Sequence, residues 1–243
     1  CAVELVEQHS RAACTAGTSY GCASDSAVWT SCRGRFRCAG GPEFACGYPP
    51  GQPRYSCRCD GADDWLRGFC TGGIPKVGRM NLIYVSDARG RILTELSCIR
   101  IGEDNFVLIT AATAQWHDGE LIRNSVPGTV TVRETTTERD TLILTGPTAR
   151  DVLSGITDAD LSQGWLTHQF ATVADQKAFL IRVSFAGELG WEIHAENAAM
   201  PPIYDAVLAA GAKPFGMYTL NALRMEKGYR TWKGDLSTDY TLL

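Results

Sequence analysis

Segments with apolar side chains at every second position occur in pairs, each pair separated from the next by one stretch of helical period. This pattern constrains the chain more than any other feature. MNLIYVS and RILTELSCIRI flank DARG, where Gly90 supplies a hairpin turn, and NFVLIT adds another strand. TAQWHDGELIRNSV has helical spacing and is stopped by Pro127-Gly128. TVTVRE and DTLILTG are strands across the polar TTTER turn, and GPTARDVLSGI starts a helix with Pro147 at its first position. KAFLIRVSF and GWEIHAE are the next strands. AMPPIYDAVLAAG is a helix closed by Gly211, and TLNALRMEKGY is the last helix. Upstream, ADDWLRGF sets Trp65 and Phe69 four apart on a short amphipathic helix. Strand pairs alternating with single helices predict an α+β fold with split βαβ units and antiparallel or mixed sheets.

The pattern begins at Gly61, and what precedes it has a different composition. Cys1, Cys14, Cys22, Cys32, Cys38, Cys46, Cys57 and Cys59 all fall before it, whereas only Cys70 and Cys98 follow. Residues 1–73 contain no Lys, Ile, Met or Asn, and all four appear from Ile74 onward. Those four have AT-rich codons, so an abrupt switch points to a shifted reading frame. We therefore expect residues 1–60 to be a non-native tail. A secreted disulfide module ranks second. A metal module ranks third, because no histidine stands at a zinc-like spacing. The start at Cys1 without Met and the end at STDYTLL lead us to expect a fragment.

A net charge of −4 over 243 residues, with no concentrated basic stretch, argues against nucleic acid as a partner. No apolar run reaches the length that crosses a bilayer, so no membrane partner is expected. No nucleotide fingerprint is present, and Gly72-Gly73 lacks the Lys-Ser/Thr ending of a phosphate loop.

Chemistry concentrates in RVSFAGELGWEIHAE, residues 182–196. Alternation predicts Val183, Phe185, Leu189, Trp191 and Ile193 on one side of a strand, leaving Glu188 and Glu192 as carboxylates beside glycines. An outward-facing acid is the ordinary reading of Glu192. Its apolar neighbours raise another, since a buried carboxylate needs donors, and Gly187 and Gly190 permit close approach. A strand carboxylate can accept two parallel N–H bonds from a guanidine-like group. Elsewhere, Glu95 reads as an exposed strand acid, His117 as capping or packing, and Tyr229 and Trp232 as packing. Glu226 and Arg230 read as an i,i+4 pair.

Three motifs then carry a resemblance: SFAGELGWEIH, NALRMEKGYRTWKGDLSTDYT and IPKVGRMNLIYVSDARGRILTEL. Together they resemble the folate-binding domain of the glycine-cleavage T-protein family, over roughly Gly61 to Leu243. The version fused behind a flavin domain in dimethylglycine and sarcosine dehydrogenases is the most similar. The resemblance implies a T-protein-like fold truncated before its C-terminal barrel. It also implies tetrahydrofolate as cofactor and an upstream flavin domain of the same chain as partner, with FAD confined to that domain. The implied activity is capture of the one-carbon unit from N-methyl amine oxidation as 5,10-methylenetetrahydrofolate. Glu192 matches the carboxylate that holds the pterin edge, with Trp191 beside it. Phe185 replaces a tyrosine commonly found lining the site, keeping the ring and losing the hydroxyl. Glu95 matches an acid placed near the reacting nitrogens, which makes it the implied catalytic residue. Arg224 is counted with the cofactor-binding residues, in a structural role under the site. Leu220 stands where some T-proteins carry an arginine for the folate tail, and this departure argues against a stand-alone glycine-cleavage enzyme. That enzyme, with a lipoyl-carrier partner, and a non-catalytic folate-binding accessory protein are the alternatives. The expected compartment is the bacterial cytoplasm, or the mitochondrial matrix in a eukaryote.

Overall fold

The computed structural model describes residues 61–111, 114–136 and 138–242, together with the backbone of three short strands, β1 (Ala2–Leu5), β2 (Ala27–Ser31) and β3 (Arg33–Cys38). Apart from those strand backbones, the expected non-native or cysteine-rich tail lies outside the described residues.

Among the described residues, two six-stranded sheets face one another. The first contains β4 (Met80–Ser86), β5 (Ile92–Gly102), β6 (Asn105–Thr110) and β7 (Val132–Glu134), in the order β4-β5-β6-β1-β3-β7. The second contains β8 (Arg139–Thr145), β9 (His168–Val173), β10 (Gln176–Ile181), β11 (Gly190–Glu196) and β12 (Lys213–Pro214), in the order β12-β2-β8-β11-β10-β9. Pairing is antiparallel except between β1 and β6 and between β2 and β12, so the sheets are mixed and the fold is α+β.

Strand alternation sorts the cores. Ile83, Val85, Leu96, Cys98, Phe106 and Leu108 turn outward from the first sheet. They pack on α1 (Ala62–Phe69) through Trp65 and Leu66, and on α2 (Gln115–Ser125) through Ile122. Leu142, Leu144, Leu180, Trp191 and Ile193 turn outward from the second sheet. They pack on α3 (Ala149–Ser154) and α4 (Met200–Ala209). Each such side chain, fully buried, contributes about 1.5–3 kcal/mol. The inner faces meet through Met80 and Ile99 of one sheet and Phe179 and Ile181 of the other. The layers therefore run helix, sheet, sheet, helix, and the inner space lies between the two sheets.

Local chemistry explains the helix ends. Asp63 and Asp64 sit in the first turn of α1, where the dipole favours anions, and Arg67 bonds Asp63 at 2.6 Å. α4 has proline in its first turn and ends in a Schellman motif: Gly211, at φ 102°, donates to Leu208 O and Ala212 donates to Val207 O. α3 starts later than the sequence implies. Thr148 is its N-cap, and Pro147 lies in the preceding turn. The last helix, α5 (Met217–Glu226), buries Leu220 and Arg224 one turn apart. Arg230 lies beyond its end, so Glu226 and Arg230 do not have the helical spacing expected of them. Among the described residues no helix is long and apolar enough to cross a membrane.

Candidate functional site

The inner faces of the two sheets part at one end to form a cavity of about 1060 Å³, closed by the segment from Gly228 to Leu242 that follows α5. Its size matches the upper end of the roughly 300–1000 Å³ typical of ligand pockets. Glu95, Glu192 and Phe185, three residues singled out from sequence, all line it. Trp191 and Arg224 do not.

The strand period explains the division between Glu192 and Trp191. Neighbours on β11 point to opposite faces, so Glu192 and His194 look into the cavity while Trp191 and Ile193 enter the second core. Trp191 is fully buried, with the Arg182 guanidinium 4.7 Å from its ring centroid. The expected common side for Val183, Phe185 and Trp191 is corrected in the same way. β10 ends at Ile181, Phe185 lies in a turn, and both Val183 and Phe185 face the cavity. Glu188 is exposed in that turn.

Glu192 is one-fifth exposed, and His194 Nε2 lies 3.0 Å from its Oε2. The other ring nitrogen, Nδ1, lies 2.8 Å from the Thr141 hydroxyl on β8. His194 was missed from sequence although it stands two residues from Glu192, the spacing that puts side chains on one face of a strand.

Across the cavity, Glu95 on β5 is cross-strand partner to Tyr84 on β4, and the phenol hydrogen-bonds the carboxyl. A bulge near Val85 shifts the register so that Tyr84 opposes Glu95. Burial pushes the Glu95 carboxyl above its ordinary value, and the Tyr84 bond opposes that rise. The phenol is pushed up to about 12, first by burial and then by the carboxylate, so Tyr84 stays a hydrogen donor at neutral pH.

Phe185 stacks with Tyr229, ring centroids 6.4 Å apart and planes within 17°. Tyr229 and Trp232, expected to be packing residues, both line the cavity. Trp232 is 5% exposed, and its indole Nε1 is buried with no hydrogen-bond partner among the described residues. A buried donor without an acceptor costs about 1–3 kcal/mol. Arg224 acts from underneath. It is buried, bonds Asn221 Oδ1 from Nε at 2.9 Å and Tyr229 O at 2.9 Å, and pairs with Asp235. These bonds clamp the closing segment to α5.

The glycines around Glu192 admit protein. A Cβ on Gly190 would lie 2.7 Å from Leu144 O on the neighbouring strand, and one on Gly187 would run into the Lys227 side chain. Their role is to bring β11 against β8 and the 185–189 turn against α5. His117 and Asp118 also stand apart from the cavity. Asp118 is fully buried, accepts from His117 Nδ1 at 2.9 Å, and is raised above the usual carboxylate range by burial.

The site combines two carboxylates on opposing sheets and an aromatic stack. That set suits a flat heterocycle carrying N–H donors. The GCVT N-terminal domain, as a family, matches residues 53–243. The chain belongs to that family. This GCVT N-terminal domain is 35% identical over 184 residues to dimethylglycine dehydrogenase, mitochondrial, of Rattus norvegicus, covering 72% of this chain and 22% of that protein. Over 105 residues it is 44% identical to sarcosine dehydrogenase, mitochondrial, of Mus musculus, covering 40% and 11%. The chain therefore spans less than a quarter of the length of these dehydrogenases. Among solved structures, the glycine cleavage system aminomethyltransferase T from Bartonella henselae shares its fold, with a TM-score of 0.70 at 21% identity. That likeness covers 89% of this chain and 55% of the other.

Proposed function

We propose that the chain is the tetrahydrofolate-binding part of a dimethylglycine or sarcosine dehydrogenase-type protein. In that role it captures the one-carbon unit released by N-methyl amine oxidation. The observation that carries this reading is Glu192, a partly buried strand carboxylate held at the wall of a ligand-sized cavity. The residues present fit the group. The guanidine-like edge of a pterin offers parallel N–H donors to Glu192, and Phe185 and Tyr229 give the ring apolar walls.

When bound, tetrahydrofolate supplies the two nitrogens that take up the one-carbon unit. The chain's own residues bind, orient and manage protons. Glu192 holds the ring. Glu95, its carboxyl pushed above the ordinary value by burial and hydrogen-bonded by Tyr84, gives or takes a proton at the cavity wall. The flavin chemistry belongs to an upstream domain of the parent protein, and the relatives named for dimethylglycine and sarcosine dehydrogenase motivate that assignment. Leu220 favours this reading over a glycine-cleavage T-protein. It is buried with Ile143 and Ala186 beside Phe185, an apolar setting with no place for a cationic side chain.

The test is Glu192→Gln with reduced folate titrated by calorimetry. Losing hydrogen bonds to a charged acceptor costs about 1.5–3 kcal/mol, so affinity should fall roughly 10- to 100-fold. An unchanged Kd refutes the assignment.

A further inference from the structure

The buried imidazole on β11 has a role of its own at this site. His194 is 2% exposed and bridges two cavity residues on adjacent strands: Nδ1 to Thr141 at 2.8 Å and Nε2 to Glu192 at 3.0 Å. The Phe179 ring, opposite it on β10, packs against the imidazole with centroids 6.0 Å apart and limits its rotation. An ionised carboxylate only accepts, so the Nε2–H must donate to Glu192. In the neutral ring Nδ1 is then an acceptor, and the Thr141 hydroxyl donates to it. The chain of donors therefore runs in one direction, from β8 through β11 to the carboxylate.

We propose that His194 is a positioning residue that fixes the Glu192 carboxylate for a ligand, with Thr141 setting the imidazole tautomer. This inference rests on the folate reading for the identity of the ligand, but the donor chain itself does not. A carboxylate accepts at about four positions. The His194 bond occupies one and restrains the side-chain torsions, so less rotamer freedom remains to be lost on binding.

Two measurements on the 243-residue chain test it. The first titrates 5-formyltetrahydrofolate into the parent, His194→Leu and His194→Gln. Leucine keeps bulk and removes the donor, whereas glutamine keeps an N–H able to reach Glu192. His194→Leu should weaken binding by about 10-fold or more, as for a lost bond to a charged group, and His194→Gln should stay within about threefold. Equal loss in both variants, or none in His194→Leu, overturns the proposal. The second records imidazole 15N resonances of the ligand-free parent and of Glu192→Gln, and it needs no activity. A neutral Nε2–H tautomer whose shift moves in Glu192→Gln supports the donor chain. An Nδ1–H tautomer overturns it. A parent chain that shows the Nε2–H tautomer but no folate affinity supports the positioning bond and removes the folate reading alone.

Discussion

Replacing Trp191 by Phe separates the two faces of β11. The indole is fully buried in the second core, lies under the Arg182 guanidinium, and has a buried Nε1 without a partner among the described residues. Phenylalanine is smaller by about 40 Å³, which at about 24 cal/mol per Å³ of cavity costs about 1 kcal/mol. Lost apolar contact costs about another 1 kcal/mol. A weaker cation–π contact adds about 0.5 kcal/mol. Removing a buried N–H that has no acceptor offsets these by about 1 kcal/mol. The net destabilisation is about 1.5 kcal/mol, which lowers the melting temperature by roughly 3–6 °C in a domain of this size. Thermal unfolding followed by circular dichroism measures that shift, and a parallel titration with reduced folate reads the site. The melting point should fall while Kd stays within about twofold. A tenfold loss of affinity at an unchanged melting temperature would refute the assignment of residue 191 to the core face.

Glu95→Gln should stabilise the chain in a pH-dependent way. The folded carboxyl titrates above its ordinary 4.5, so the folded state binds the proton more tightly than the unfolded one. Stability therefore falls as pH rises from about 4.5 through the raised value. Glutamine removes that slope and can still accept from Tyr84, so its melting advantage should be small near pH 4 and grow toward pH 8. A difference that is flat with pH contradicts the buried placement. Gly190→Ala should lower stability by about 1–3 kcal/mol in denaturant unfolding, because its Cβ would press on the Leu144 carbonyl, a backbone group that cannot turn aside. A neutral effect would mean the two strands are not packed so closely.

The sequence shows the β4–β5 hairpin directly, because strict alternation flanks Gly90, which takes up φ 77° in the turn. It hides β9. The β9–β10 hairpin turns at Ala174 and Asp175, both at positive φ without a glycine, and β9 is only half-buried along most of its length. Composition gives no sign of either. The same limit produced the error at Val183 and Phe185, where apolar alternation continues past the end of β10 into a turn. At the site, Glu192 was readable as an acid in an apolar strand, whereas Glu95 read as an exposed strand acid and gained a role only through the family resemblance. His194 was readable from the i,i+2 rule. Tyr84 was not, since its pairing with Glu95 depends on a bulge that shifts the register. Trp232 needed the tertiary structure, because only there does its indole N–H lack an acceptor.

The two acids of the cavity belong to different sheets, Glu95 to one whose β4–β7 run in succession and Glu192 to one whose β8–β12 follow. A molecule lodged between them acts as a rivet, held only while both halves of the structure are assembled. At a hundredfold excess over its Kd, occupancy adds about 2.7 kcal/mol to the folded form. Heating or protease challenge with and without that molecule should therefore reveal a domain whose lifetime follows the supply of what it carries.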